Sequence, residues 1–179
     1  RGSVTDALKQ LQARQGINRI FCHQETGGHW TFERDRAVIG WCSENQVEFR
    51  EWNQFGVVRR LSDRDVWDRA WTELMRQPVL EAPTAIPTSD TLKIDWAADN
   101  GQGFGVPDTC PDRQKGGSAR GEKLLGSFLD RRCVGYQYNI SSPNTAVRAC
   151  SRLSPHIAYG TVSLREIYQE AKATGNHRN

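Results

Sequence analysis

Six consecutive residues, Cys150-Ser151-Arg152-Leu153-Ser154-Pro155, gather the chemistry of an anion site. Pro155 suits the first position of a helix, where its missing N–H costs nothing. Ser154 before it then reads as the N-cap. A helix N-terminus offers unsatisfied backbone donors and the positive end of a dipole, so a phosphate or diphosphate fits there. The hydroxyls of Ser151 and Ser154 and the charge of Arg152 strengthen such a site. Gly160 ends this short helix, and Ser163 with Glu166 forms a capping box for the next one, from Leu164 onward. Local chemistry leaves two readings open: a phosphate cradle, or two capped helices with no ligand. The second is the commoner outcome.

Other constellations carry less. The stretch GQGFG, Gly101 to Gly105, follows no strand and opens no helix, so it reads as a linker and not as a dinucleotide fingerprint. His23 and His29 flank Glu25, but their spacing across Gly27-Gly28 matches no standard metal-ligand pattern. Arg34-Asp35 sits in the first turn of a helix, where Arg34 can pair with Glu25. The pairs Arg59-Arg60 and Arg131-Arg132 read as solvated faces, with phosphate contact as the alternative.

The positions of these residues depend on the elements around them. The chain has 179 residues, enough for one domain or parts of two. A hydrophobic content of 37% and a net charge of +3 describe a folded chain with a thin core and no strong electrostatic call for nucleic acid. The five cysteines form no CxxC pair and read as reduced, buried thiols. No apolar run approaches the ~18 residues of a membrane span, and no signal-peptide pattern is present. The expectation is a cytoplasmic monomer.

Ser3 with Asp6 predicts a capped helix ending at Gly16. Ile17 to His23 reads as a buried strand. Thr31 is the expected cap of a second helix, with Phe32, Ala37, Ile39 and Trp41 on its apolar face. Val47 to Trp52 reads as a second strand, with Phe55 to Val58 as its extension or a short third one. Ser62 with Asp65 caps a helix whose apolar face is Trp67, Ala70, Trp71 and Leu74, and Pro78 ends it. This alternation predicts α/β structure with parallel strands. Prolines 78, 83, 87, 107 and 111 then mark a long connector. Beyond it, Ser118 can cap a helix burying Leu124, Leu125, Phe128 and Leu129. Val134 to Cys150 reads as extended or irregular. The expected organisation is an α/β part over residues 1–77, a linker over 78–115 and the start of an all-α domain over 116–179.

The segment CSRLSPHIAYGTVSLRE resembles the flavin-binding signature of the DNA photolyase and cryptochrome family. In that family a Thr-Ser-x-Leu-Ser-Pro turn grips the phosphates of FAD, and a Gly-x-x-Ser-x-Arg helix start follows. GGSARGEKLLGSFLDRR is similar to the family's entry helix, and Tyr138, sixteen residues before Ser154, matches its flavin-contacting tyrosine. CHQETGGHWTFERDRAV and GVVRRLSDRDVWDRAWTELMRQPVL resemble the second half of the family's Rossmann-like antenna domain and its exit helix. Cys150 stands where the family usually has threonine, Ser142 where an arginine is common, and His156 where an aromatic is usual.

The resemblance implies an α/β antenna domain followed by a helical FAD-binding domain. It implies FAD contacts from Tyr138, Ser151, Leu153 and Ser154, with Cys150 and Arg152 beside them, and a second, unidentified antenna chromophore. It also implies light-driven repair of cyclobutane pyrimidine dimers in DNA by electron transfer from reduced flavin. The alternatives are a cryptochrome light sensor and an inactive truncated product. The family's catalytic acid and electron-transfer tryptophans lie beyond this kind of segment, and all six tryptophans here fall between Trp30 and Trp96. With Met75 as its one methionine and a helix starting at Ser3, the sequence reads as an internal fragment that does not retain FAD by itself.

Overall fold

A computed structural model describes residues 2–86 and 109–175. The GQGFG glycines, Trp96 and the middle of the proline-marked connector lie outside the described residues. The chain divides into two compact units, Arg1–Gln77 and Pro78–Asn179.

The first unit opens with α1, Val4–Gln15. The Ser3 hydroxyl accepts from the Asp6 N–H at 3.1 Å, and Gly16 leaves the helix at φ 73°. Strand β1, Arg19–His23, pairs in parallel with β2, Glu48–Trp52, in a register that sets Phe21 opposite Arg50. Helix α2, His29–Glu44, crosses between them. The α2 residues Val38, Trp41 and Cys42 form the core with Val47, and Leu8, Ile17, Ile20 and Phe49 pack against it. One face of the sheet is therefore covered. The other carries Phe21, 57% exposed, against Trp52 with ring centroids 5.3 Å apart. The first strand is thus half-buried and not buried as its apolar run suggests, because only one layer of helices covers this two-stranded pair.

Helix α2 also starts before Thr31. Gly28 is its N-cap, and the Thr31 hydroxyl donates back to the Gly28 carbonyl at 2.8 Å instead of capping. The apolar face rotates accordingly: Val38 and Cys42 are buried, and Ile39 and Phe32 are exposed. Phe55 to Val58 forms no strand. Gly56, at φ 75°, turns the chain so that its carbonyl accepts from the Trp67 indole at 3.1 Å. A short 3-10 turn, Arg64–Val66, is capped by Asp63 and not Ser62, with the Asp63 carboxylate accepting from the Asp65 N–H at 2.9 Å. Helix α3, Trp67–Arg76, follows and buries Met75 where Ala70 was expected.

The second unit contains only helices among its described residues. Helix α4, Ser118–Ser127, begins after Gly117, so Ser118 is its first residue and not its cap. It runs into a π-helical turn, Phe128–Arg132. Two short helices, α5 (Tyr136–Asn139) and α6 (Pro143–Ala149), occupy the stretch expected to be irregular. Gly135 at φ 76° starts the first, and Pro143 starts the second. Then come α7, Ser154–Ala158, and α8, Leu164–Thr174. The Ser163–Glu166 capping box of α8 is complete in both directions. Leu125, Leu129, Leu153 and Val162 form the core of this unit. The architecture is a partial α/β unit followed in sequence by a helical one.

Candidate functional site

The turn between α6 and α7 holds Cys150 to Leu153, and Ser154 opens α7. Its shape comes from Arg152, which lies at φ 61°, a left-handed conformation that a non-glycine residue adopts only when its surroundings hold it there. Three contacts do so. The Gln114 amide donates to the Arg152 carbonyl at 2.7 Å. The Ser151 hydroxyl accepts from the Leu153 N–H at 3.4 Å. Leu153 is 3% exposed, inside the core of the unit. Full burial of a leucine is worth ~1.5–3 kcal/mol, so Leu153 ties the turn to α4.

Helix α7 begins one residue earlier than the proline implies. The Ile157 N–H donates to the Leu153 carbonyl at 2.9 Å, which places Ser154 inside the helix, and the Ser154 side chain caps nothing. The helix is five residues long. A helix this short carries a small dipole, so the electrostatic weight of the site rests on side chains.

Those side chains are supplied by α4 and by the segment before it. A cleft of about 300 Å³ is lined by Gln114, Lys115, Arg120, Lys123, Leu124 and Arg152. Four cations converge on it, and among the described residues no carboxylate lines it. None of the four forms an ion pair among the described residues. Like charges gathered without compensation raise the local positive potential and favour an anion. Guanidinium and ammonium donors of this kind suit phosphate oxygens.

Behind the turn lies Arg132. In the π turn the Cys133 N–H reaches the Phe128 carbonyl at 2.8 Å, which widens the helix by one residue. The Arg132 guanidinium donates to the Cys150 carbonyl, to the Leu124 carbonyl at 2.7 Å, to the Ser127 hydroxyl at 2.9 Å and to the Ser151 carbonyl at 3.3 Å. It also lies over the Phe128 ring, 5.6 Å from the centroid. Burial, then the like charges of Arg152 and Arg131, hold it below the usual guanidinium range. Arg131, its neighbour in sequence, is exposed.

The six residues singled out in the sequence thus take different places. Arg152 lines the cleft, Ser151 and Leu153 shape the turn, and Cys150 presents its carbonyl to Arg132. Ser154 is exposed at the start of α7. Tyr138 is 81% exposed on α5 and does not line the cleft. Lys115, Arg120, Lys123 and Gln114 were not singled out. The three-residue spacing of Arg120 and Lys123 puts them on one helix face, which was the one available signal. His156 is buried on the inner side of α7: it is 2% exposed, with Nδ1 bonded to the Thr161 hydroxyl at 2.8 Å.

In the first unit, Arg59 is paired within the protein and is not a solvated cation. Its guanidinium forks onto both Glu51 oxygens at 3.1 Å and donates to the Glu25 carbonyl at 2.9 Å. Arg34 bridges Asp35 at 2.7 Å and Glu25 at 3.2 Å. The Gly27 N–H, followed by Thr31 and Arg34, holds the Glu25 carboxyl below the usual carboxylate range. Burial raises the Cys22 and Cys42 thiols above theirs, which keeps them protonated and unreactive at neutral pH. Among the described residues no cluster of three His, Cys, Asp or Glu could hold a metal, and no helix is long and apolar enough to cross a membrane.

No protein-family model matches the chain. Over 94 residues, 52% of its length, it is 32% identical to a deoxyribodipyrimidine photo-lyase of Streptomyces griseus, and the match covers 20% of that enzyme. Its fold superposes on that of a bacterial class III photolyase from Agrobacterium tumefaciens with a TM-score of 0.62 and 21% identity, over 98% of this chain and 39% of the other. The chain therefore spans well under half the length of either protein. Over about half its length in sequence, and over nearly all of it in fold, the chain is similar to DNA photolyases.

Proposed function

We propose that the second unit grips the diphosphate of FAD, and that the chain is part of a flavoprotein repairing pyrimidine dimers in DNA by light-driven electron transfer. The observation that carries the first half is the cleft with four cations and, among the described residues, no acid, beside the turn that resembles the family's phosphate-gripping signature. The residues fit the group: two phosphate charges would offset the mutual repulsion of Lys115, Arg120, Lys123 and Arg152. The exposed Ser154 hydroxyl and the Ser151 hydroxyl add donors at the turn. Cys150 brings a weaker thiol donor than the threonine usual there.

The role of the protein here is to bind and orient. Bound FAD would supply the light absorption and the electron that splits the dimer. Leu153 fixes the turn, Gln114 fixes the backbone of Arg152, and the cations hold the phosphates. Tyr138 is assigned to the flavin's ribityl side through the resemblance alone. The damaged nucleotide is expected to leave the DNA stack to reach the flavin. In this reading, residues 1–77 are the second half of the antenna domain, 78–115 the connector, and 116–179 the start of the helical FAD-binding domain.

The test is a titration of the purified 179-residue protein with FAD at low ionic strength, followed by flavin fluorescence. The reading predicts reversible binding that inorganic pyrophosphate displaces, and not stoichiometric retention through purification. Absence of any interaction at low salt would sink it. Illuminating the flavin-loaded parent protein with dimer-containing DNA then separates repair from light sensing.

A further inference from the structure

The pair Arg131-Arg132 splits into one exposed residue and one held under the turn, and the held one makes contacts that no surface cation needs. Arg132 satisfies the carbonyls of Cys150 and Ser151, both immediately before the left-handed Arg152. It anchors them to Leu124 and Ser127 of α4. Leu124 is also a wall of the basic cleft. One guanidinium therefore fixes the floor of the cleft and the turn beside it to each other. Among the described residues no carboxylate pairs with it, so its positive charge adds to that of the cleft. Carbonyl dipoles satisfy its donors and do not neutralise its charge.

We infer that Arg132 is a positioning residue of the anion site. It holds the Cys150–Leu153 turn in the conformation that aims Arg152 into the cleft, and it contributes its charge from behind without touching the ligand. This rests on the phosphate reading of the cleft given above. Lysine cannot replace it, because one ammonium has no planar fork to span acceptors on both sides. The π turn is what brings the side chain there: the extra residue carries Arg132 back over Leu124 and Ser127.

The test uses the whole 179-residue protein with inorganic pyrophosphate as probe, by calorimetry at low ionic strength. Arg132→Lys keeps the charge and loses the fork, and is expected to weaken binding about tenfold with an unchanged circular-dichroism spectrum. Arg132→Ala is expected to lose at least as much, and millimolar methylguanidinium should restore part of the affinity in that variant and none in Arg132→Lys. Arg131→Ala, which removes an equal charge next door, is expected to change affinity no more than about twofold. Wild-type affinity in Arg132→Lys, or an Arg131→Ala loss equal to that of Arg132→Ala, overturns the positioning role and leaves the cleft reading standing. A wild-type protein that takes up no pyrophosphate overturns both. Should Arg132→Ala fail to fold, Arg132→Lys against Arg131→Ala decides the matter.

Discussion

Arg152 combines two properties that oppose each other. Its left-handed backbone costs stability, roughly 1–2 kcal/mol for a residue with a Cβ, while its side chain supplies one of the four charges of the cleft. Arg152→Gly separates them. Chemical denaturation is expected to show a protein as stable as wild type or more stable by up to ~1 kcal/mol, whereas pyrophosphate affinity falls several-fold. A destabilised variant would mean that the turn is not strained at this position. Glu25 gives a pH dependence of definite sign. Its folded-state pKa is depressed by the Gly27 N–H and by its other partners. Its contribution is therefore present above the unfolded carboxylate range, near pH 4.3, and is lost as pH falls through the lower folded value. Thermal unfolding of Glu25→Gln from pH 6 to pH 3 should show a shallower loss of stability than wild type. Parallel curves would remove Glu25 from the account.

At the scale of elements, glycines mark where helices meet other structure closely. A Cβ on Gly121 would lie 2.3 Å from Val162 Cγ2 and 3.0 Å from His156 Nδ1. Helix α4 thus sits against the His156–Val162 segment only because that position has no side chain. Gly121→Ala is expected to cost about 1–3 kcal/mol by overpacking, partly offset by up to ~1 kcal/mol of helix propensity, read as a lower denaturant midpoint. At Gly56 a Cβ would stand 2.4 Å from Trp71 Cδ1 at φ 75°, so no such offset exists and Gly56→Ala should cost more. The helix starts at Ser3 and Ser163 were legible in the sequence because a cap is a contact between residues three apart. The starts of α2 and α7 were not. There, Thr31 and Ser154 have cap-like chemistry, but a carbonyl upstream, from Gly28 or Leu153, already opens the helix. The π turn left no local signature, and α5 and α6 were hidden because each is only one or two turns long.

At the scale of the whole chain, the α/β-then-helical order was legible from the period of its apolar residues, and the turn from its residue types. The cleft was not. Gln114, Lys115, Arg120 and Lys123 lie 29 to 38 positions before Arg152 in sequence, and nothing in their spacing announces that they face one another. Arg132 was visible only as half of a basic pair. The resemblance located the turn, and the fold supplied its charge. A chain of net charge +3 that concentrates four cations around one cleft should bind anions in a way that salt weakens steeply. The most direct measurement is flavin fluorescence of the 179-residue protein titrated with FAD, wild type against Lys123→Glu, at low and high salt. The account predicts binding to wild type at low salt, loss of at least about tenfold in affinity in the charge-reversed variant, and displacement by pyrophosphate. Equal binding by both proteins, insensitive to pyrophosphate, would contradict it.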